Sequence, residues 1–116
     1  MTWERFTDIG RSMNPKISIR GNVQIGLNTA AIDKFKLKDY KYAVLFFNNS
    51  NRWIGIRLTN DHTEEGACKL RVRDDDKGAH ISAKSYIAKY KLSDLSVKRF
   101  EASWDENDKM IVAIVK

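Results

Sequence analysis

Residues 34–39 read KFKLKD, and residues 89–94 read KYKLSD. Four of the six letters agree, Phe35 is answered by Tyr90, and the copies stand 55 residues apart in a chain of 116. A chain that writes the same hexapeptide once in each half is built from two copies of one unit, and such a repeat outweighs any local signal in deciding the fold.

Upstream of the first copy, PKISIRGNVQIGLN alternates. Ile17 and Ile19 point one way, and Lys16, Ser18 and Arg20 point the other. After Gly21-Asn22, Val23, Ile25 and Leu27 take the inward face, which predicts a tight hairpin. Asn28 or Thr29 caps a short helix, TAAIDKFKL, with Ala31, Ile32 and Phe35 at helical spacing. YAVLFFNN is apolar on both faces and reads as a central strand. NNSN turns the chain into a fourth strand, RWIGIRL. Residues 61–67, within the polar stretch TNDHTEEGA, read as a linker.

The order then repeats. ACKLRVR and AHISA make a hairpin around DDDKG, Ser82 or Ser85 caps the helix KSYIAKY, and VKRFEASW and KMIVAIV form a last hairpin around DEND. At an offset of 55, Ile32 falls on Ile87 and Leu37 on Leu92. At an offset of 56, Ile25 falls on Ile81, and Ile54 and Ile56 fall on Met110 and Val112. One residue gained at a helix start, and again at the turn after the third strand, accounts for the drift. Each hexapeptide then marks a helix end, with an apolar pair (Phe35/Leu37, Tyr90/Leu92) seated on a shared core.

ISIRGNVQIGLNTAAIDKFKLKDYKYAVLFFNNSNRWIGIRL resembles the AbrB-type swapped-hairpin module. There an I-x-x-x-G-x-I-x-I pattern precedes a short helix and two more strands. The likeness covers residues 16–58 and, more loosely, 69–115; the family's proline after the second strand is replaced by Leu27-Asn28. It implies two interleaved hairpin pairs closing one barrel. The whole chain also resembles a group of short bacterial proteins with W-x-x-F near the start, IGIR in mid-chain and ISAKSY later, a likeness that implies no activity.

The expected fold is therefore mainly β (α+β) in one domain. Residues 1–15 form an N-terminal strap with Trp3, Phe6 and Ile9 at spacing three, 16–60 the first repeat and 68–116 the second. The tandem β-β-α-β-β repeats make one pseudo-twofold, swapped-hairpin-like barrel or intertwined sheet with two short helices. A single unit of about 45 residues buries too little to stand alone. Counting from the third strand instead gives a ββββα pair of the kind found in PC4-like, Whirly and Pur domains.

The net charge is +6, and all of it lies in one half. Residues 1–60 carry ten Lys/Arg against four Asp/Glu; residues 61–116 carry eleven of each. A polyanion is the natural partner of such an imbalance. The AbrB resemblance implies DNA contacts near the first hairpin and helix, at Lys16, Arg20, Lys34, Lys38 and Lys41. Arg20, Asn22 and Gln24 have the bidentate chemistry for base edges. Trp53, beside Arg52 and Arg57, offers a stacking surface for a base, or packs beneath the strap. The competing expectation is a protein-interaction adaptor, monomeric or homodimeric, whose basic first half and acidic turns dock a partner.

Other functions find no support in the residues. His62, His80 and Cys68 lack zinc-site spacing. Asp74, Asp75 and Asp76 sit in a turn composition. No nucleophile elbow or phosphate loop occurs, so neither enzyme activity nor a cofactor is expected. The longest apolar run, AVLFF at 43–47, is too short to span a membrane. The N-terminus carries acidic residues and no apolar signal region. One cysteine forbids an internal disulfide, in keeping with a reduced cytoplasmic setting.

Overall fold

The computed structural model describes residues 2–4, 14–75, 77–95 and 98–115. Eight strands form a closed barrel: β1 (Lys16–Arg20), β2 (Gln24–Leu27), β3 (Tyr42–Asn48), β4 (Trp53–Thr59), β5 (Ala67–Val72), β6 (Ala79–Ser82), β7 (Arg99–Asp105) and β8 (Met110–Ile114). Helix α1 (Thr29–Phe35) follows β2, helix α2 (Lys84–Lys89) follows β6, and each leads into a 3₁₀ turn.

Round the barrel the order is β1-β2-β6-β5-β3-β4-β8-β7, closing on β1. Exchanging the repeats maps this ring onto itself. The β1–β2 hairpin lies between β7 and β6, both strands of the second repeat, and β5–β6 lies between β3 and β2, both of the first. Equivalent strands meet twice. Ile25 faces Ile81 on β2–β6, and Ile56 faces Ile111 on β4–β8. All four are fully buried. Neither repeat can close a barrel alone, because each hairpin finds its outer hydrogen-bonding partner in the other half.

The strands that a ββββα count would group, β3 to β6, do stand together, but as β4-β3-β5-β6. Consecutive β4 and β5 are not paired, so the interleaved-hairpin description fits and the sequential four-strand grouping does not.

Alternation fills the interior, as an eight-stranded barrel requires. Ile17, Ile19, Ile25, Leu27, Ile54, Ile56, Ile81 and Ile111 are all at most 1% exposed. The repeated hexapeptide puts a left-handed turn after each helix, at the C-cap of α1 and one residue past the C-cap, Tyr90, of α2. Lys36 and Lys91 both adopt the left-handed conformation, at φ 54° and 55°. The leucines that follow, Leu37 and Leu92, are buried completely. A left-handed residue just past the helix redirects the chain, so the Lys lies between two apolar side chains that plug the barrel end.

Several expectations change. Val23 belongs to the β1–β2 turn and is 47% exposed, because the loop takes three residues rather than two. Ala83 is the N-cap of α2 and makes no side-chain capping bond, so neither Ser82 nor Ser85 plays that part. The core partners of Ile54 and Ile56 in the second repeat are Ile111 and Ala113; Met110 and Val112 face outward. The drift arises before the third strand, not after it. Leu37 and Leu92 are 55 residues apart, whereas β3 and β7 open 57 apart, at Tyr42 and Arg99. Of the strap, only Thr2–Glu4, Asn14 and Pro15 are among the described residues; Trp3 is 85% exposed, and the expectations for Phe6 and Ile9 lie outside them. Among the described residues no helix is long and apolar enough to cross a membrane.

Candidate nucleic-acid interface

The register decides which charges share a surface. Ser18 pairs with Gly26 on one side and Arg99 on the other; Gly26 pairs with His80, and His80 with Arg71. Arg99–Ser18–Gly26–His80–Arg71 is therefore one row of outward residues crossing five strands. At the usual strand separation it is about 19 Å long. A second row, Arg20–Gln24–Ser82, runs beside it, and Lys16 stands opposite Glu101 on its other flank. Lys69 extends the face on β5. Five cations and two carboxylates, Glu101 and, at the far end of β7, Asp105, thus occupy the outer face of β7-β1-β2-β6-β5.

The middle of that face is low. Gly26 carries no side chain, and the Arg20 side chain lies across it: a Cβ there would stand 2.5 Å from Arg20 Nε and 2.8 Å from Ser18 Oγ. The glycine is a seat for the guanidinium, which is held over the floor while its residue remains exposed. Asn22 is exposed in the turn at one end of this face.

Lys34, Lys38 and Lys41 stand elsewhere. The side chain of Asn28 accepts the Lys16 N–H at 3.0 Å, which puts α1 at the start of β1. The Val23 carbonyl accepts the Ala83 N–H at 2.7 Å, which puts α2 at the opposite end of the hairpin. The three lysines are exposed at the α1 end. Lys34 and Lys36 border a groove with Phe35, Tyr40 and Trp104, and Lys38 and Lys41 border a neighbouring one with Tyr40 and Arg73.

Arg52 and Arg57 are held by the fold. Arg52 adopts φ 58°, places its guanidinium 5.4 Å above the Phe47 ring and donates to the Tyr90 carbonyl at 3.3 Å. Arg57 forms an ion pair with Glu64 and lies 5.2 Å over the Phe46 ring. Trp53 is half-buried on the outer face of β4, beside Ile114 of β8. That face, with Phe46, Met110 and Val112, is apolar where the β1–β2 face is basic.

Sequence reasoning found Lys16, Arg20, Asn22 and Gln24 but missed Lys69, Arg71, Arg99 and His80. Their outward alternation was visible; their adjacency to β1 and β2 was not, because it depends on strand order. Among the described residues no group of three His, Cys, Asp or Glu side chains is placed to hold a metal. Cys68 is half-buried, and burial raises its thiol pKa, so it is a poor nucleophile.

Comparison with protein-family models, curated proteins and solved structures finds no match to this chain.

Proposed function

We propose that this chain is a non-catalytic nucleic-acid-binding protein, with DNA as its ligand and a regulatory role, and that it holds the polyanion on the outer face of β7-β1-β2-β6-β5. The observation that carries this reading is the register, which aligns Arg99, Ser18, Gly26, His80 and Arg71 in one row beside Arg20. Arginines at both ends of a row with a low middle, and Arg20 beside it, suit a phosphate backbone, which asks for positive charge within reach and no particular base. Arg20, Asn22 and Gln24, toward one end, have the chemistry for base edges. The resemblance of residues 16–58 to the AbrB-type module, whose members commonly grip DNA near the first hairpin, points the same way.

A salt series with a labelled mixed-sequence duplex tests it. Arg71→Ala and Arg99→Ala should each weaken binding across all sequences and reduce the salt slope by about one. Lys16→Ala should behave alike, and Arg20→Ala should also relax base preference. A folded Arg20/Arg71/Arg99 triple alanine variant with undiminished low-salt affinity rules this face out.

A second reading, a protein-interaction adaptor, draws on the opposite face. There Phe46, Trp53, Val112 and Ile114 form a surface of the kind proteins cover with partners, with Ile114 50% exposed. A second copy of the chain is the first occupant to test, by sedimentation at rising concentration with Ile114→Asp as control.

A further inference from the structure

The two barrel ends are built alike and finished differently. At the α2 end, the Tyr86 ring meets Phe47 edge-on at 6.2 Å and Tyr90 at 5.1 Å, while Phe47 and Tyr90 stack at 4.4 Å. Arg52 covers Phe47. At the α1 end, Phe35 takes the place of Tyr90 and Trp104 that of Phe47. Their rings lie 6.3 Å apart, tilted by 31°. But Ala31 occupies the position of Tyr86: the helices open at Thr29 and Lys84, and each of these residues is the third of its helix. No ring projects from this position of α1. Lys109 is the counterpart of Arg52, left-handed at φ 54°, yet it reaches Glu106 at 2.6 Å.

What remains is a groove of about 360 Å³ lined by Lys34, Phe35, Lys36, Tyr40 and Trp104. Trp104 is 39% exposed. Tyr40 also borders the adjoining groove of Lys38, Lys41 and Arg73, where Asp74 is the acidic lining residue. Glu106, which accepts from Trp104 Nε1 at 2.8 Å, is neutralised by Lys109. One exposed ring, Trp104, and one part-buried ring, Tyr40, lie among these lysines; aromatic rings interleaved with cations are the pattern by which proteins hold unstacked bases and the phosphates between them, and the volume is that of a small-ligand site.

We infer that the α1 groove binds an unstacked nucleobase and its flanking phosphates, the base against Trp104 and Tyr40, the phosphates at Lys34 and Lys36 and onward to Lys38 and Lys41. This surface is separate from the outer face proposed for duplex DNA, and the two stand or fall independently.

Tryptophan emission and the anisotropy of labelled oligothymidylate and oligouridylate test the site, with adenosine monophosphate as a third probe. Binding should quench the emission. Trp104→Ala should weaken oligonucleotide binding about five- to 150-fold, the range for one stacked base. Lys34→Ala and Lys36→Ala should each reduce the single-strand salt slope by about 0.7. Trp104→Phe should keep binding and lose most of the quench, and the Arg20/Arg71/Arg99 triple alanine variant should keep both. Adenosine monophosphate binding as tightly as the oligonucleotides assigns the site to free nucleotides; binding confined to the oligonucleotides assigns it to single strands. The inference is overturned if Trp104→Ala, folded by circular dichroism, binds every probe like the parent, if Trp104→Phe retains the full quench, or if no probe binds at low salt.

Discussion

The phenol of Tyr86 donates to the carbonyl of Phe46 at 2.6 Å, joining a helix of the second repeat to a strand of the first across 40 residues of sequence. Burial pushes the pKa of this phenol well above the ordinary tyrosine range, and the neighbouring Tyr90 adds to the shift. The folded protein therefore keeps a proton that the unfolded chain releases near pH 10. Stability is present below that pH and falls above it, by up to about 1.4 kcal/mol per pH unit. Tyr86→Phe should cost about 1 kcal/mol at neutral pH and show a shallower fall above pH 10, measured by urea denaturation across pH.

Gly26 and Arg20 make a second linked pair. Gly26→Ala places a methyl where the guanidinium rests. Because the obstacles are the end of the flexible Arg20 side chain and the Ser18 hydroxyl, which a change of rotamer removes, both move and stability changes by less than about 1 kcal/mol. Duplex affinity should drop toward that of Arg20→Ala. Parent-like affinity in the Gly26→Ala variant would show that the seat does not matter for binding.

Asn28 ties α1 to the first strand. Its Oδ1 accepts from Lys16 N and Ala31 N, each at 3.0 Å, and its Nδ2 donates to the Asn14 carbonyl at 2.9 Å. Asn28→Ala removes a cap and a cross-link together and should cost about 2–3 kcal/mol. Asn28→Asp keeps both accepted bonds and should lose less than half as much. Equal losses in the two variants would contradict this division.

Lys91 carries a left-handed backbone at φ 55° and is exposed. Left-handed geometry costs a non-glycine residue about 1–2 kcal/mol, and glycine's extra unfolded-state freedom offsets part of any gain. Lys91→Gly should stabilise the protein by about 0.5–1 kcal/mol in thermal or urea unfolding.

Most of the local structure was legible from the residues. Strict alternation around Ile17, Ile19 and Ile25 marks strands whose inner face is apolar whatever they pair with. The hexapeptide pair located both helix ends, because Leu37 and Leu92 must be buried just where each helix stops. Errors came where geometry depends on counts that pattern does not record. The hairpin loop took one residue more than expected and turned Val23 outward. Two residues gained between Leu92 and Arg99 moved the core of β8 from Met110 and Val112 to Ile111 and Ala113.

By itself the sequence determined that two similar β-β-α-β-β units share one core, and that an excess of positive charge sits in the first. Side-chain periodicity follows from the backbone geometry of a single strand or helix, so one chain segment is enough to display it. Only the tertiary structure decided which strands lie side by side. Backbone hydrogen bonds between strands carry no side-chain label, so nothing in residues 16–27 announces that Arg71 and Arg99 complete their row. The same holds for the α1 groove. The exchange of Tyr86 for Ala31 is plain in the aligned repeats, but it becomes a space beside Trp104 only once the hairpins of the two halves have interleaved.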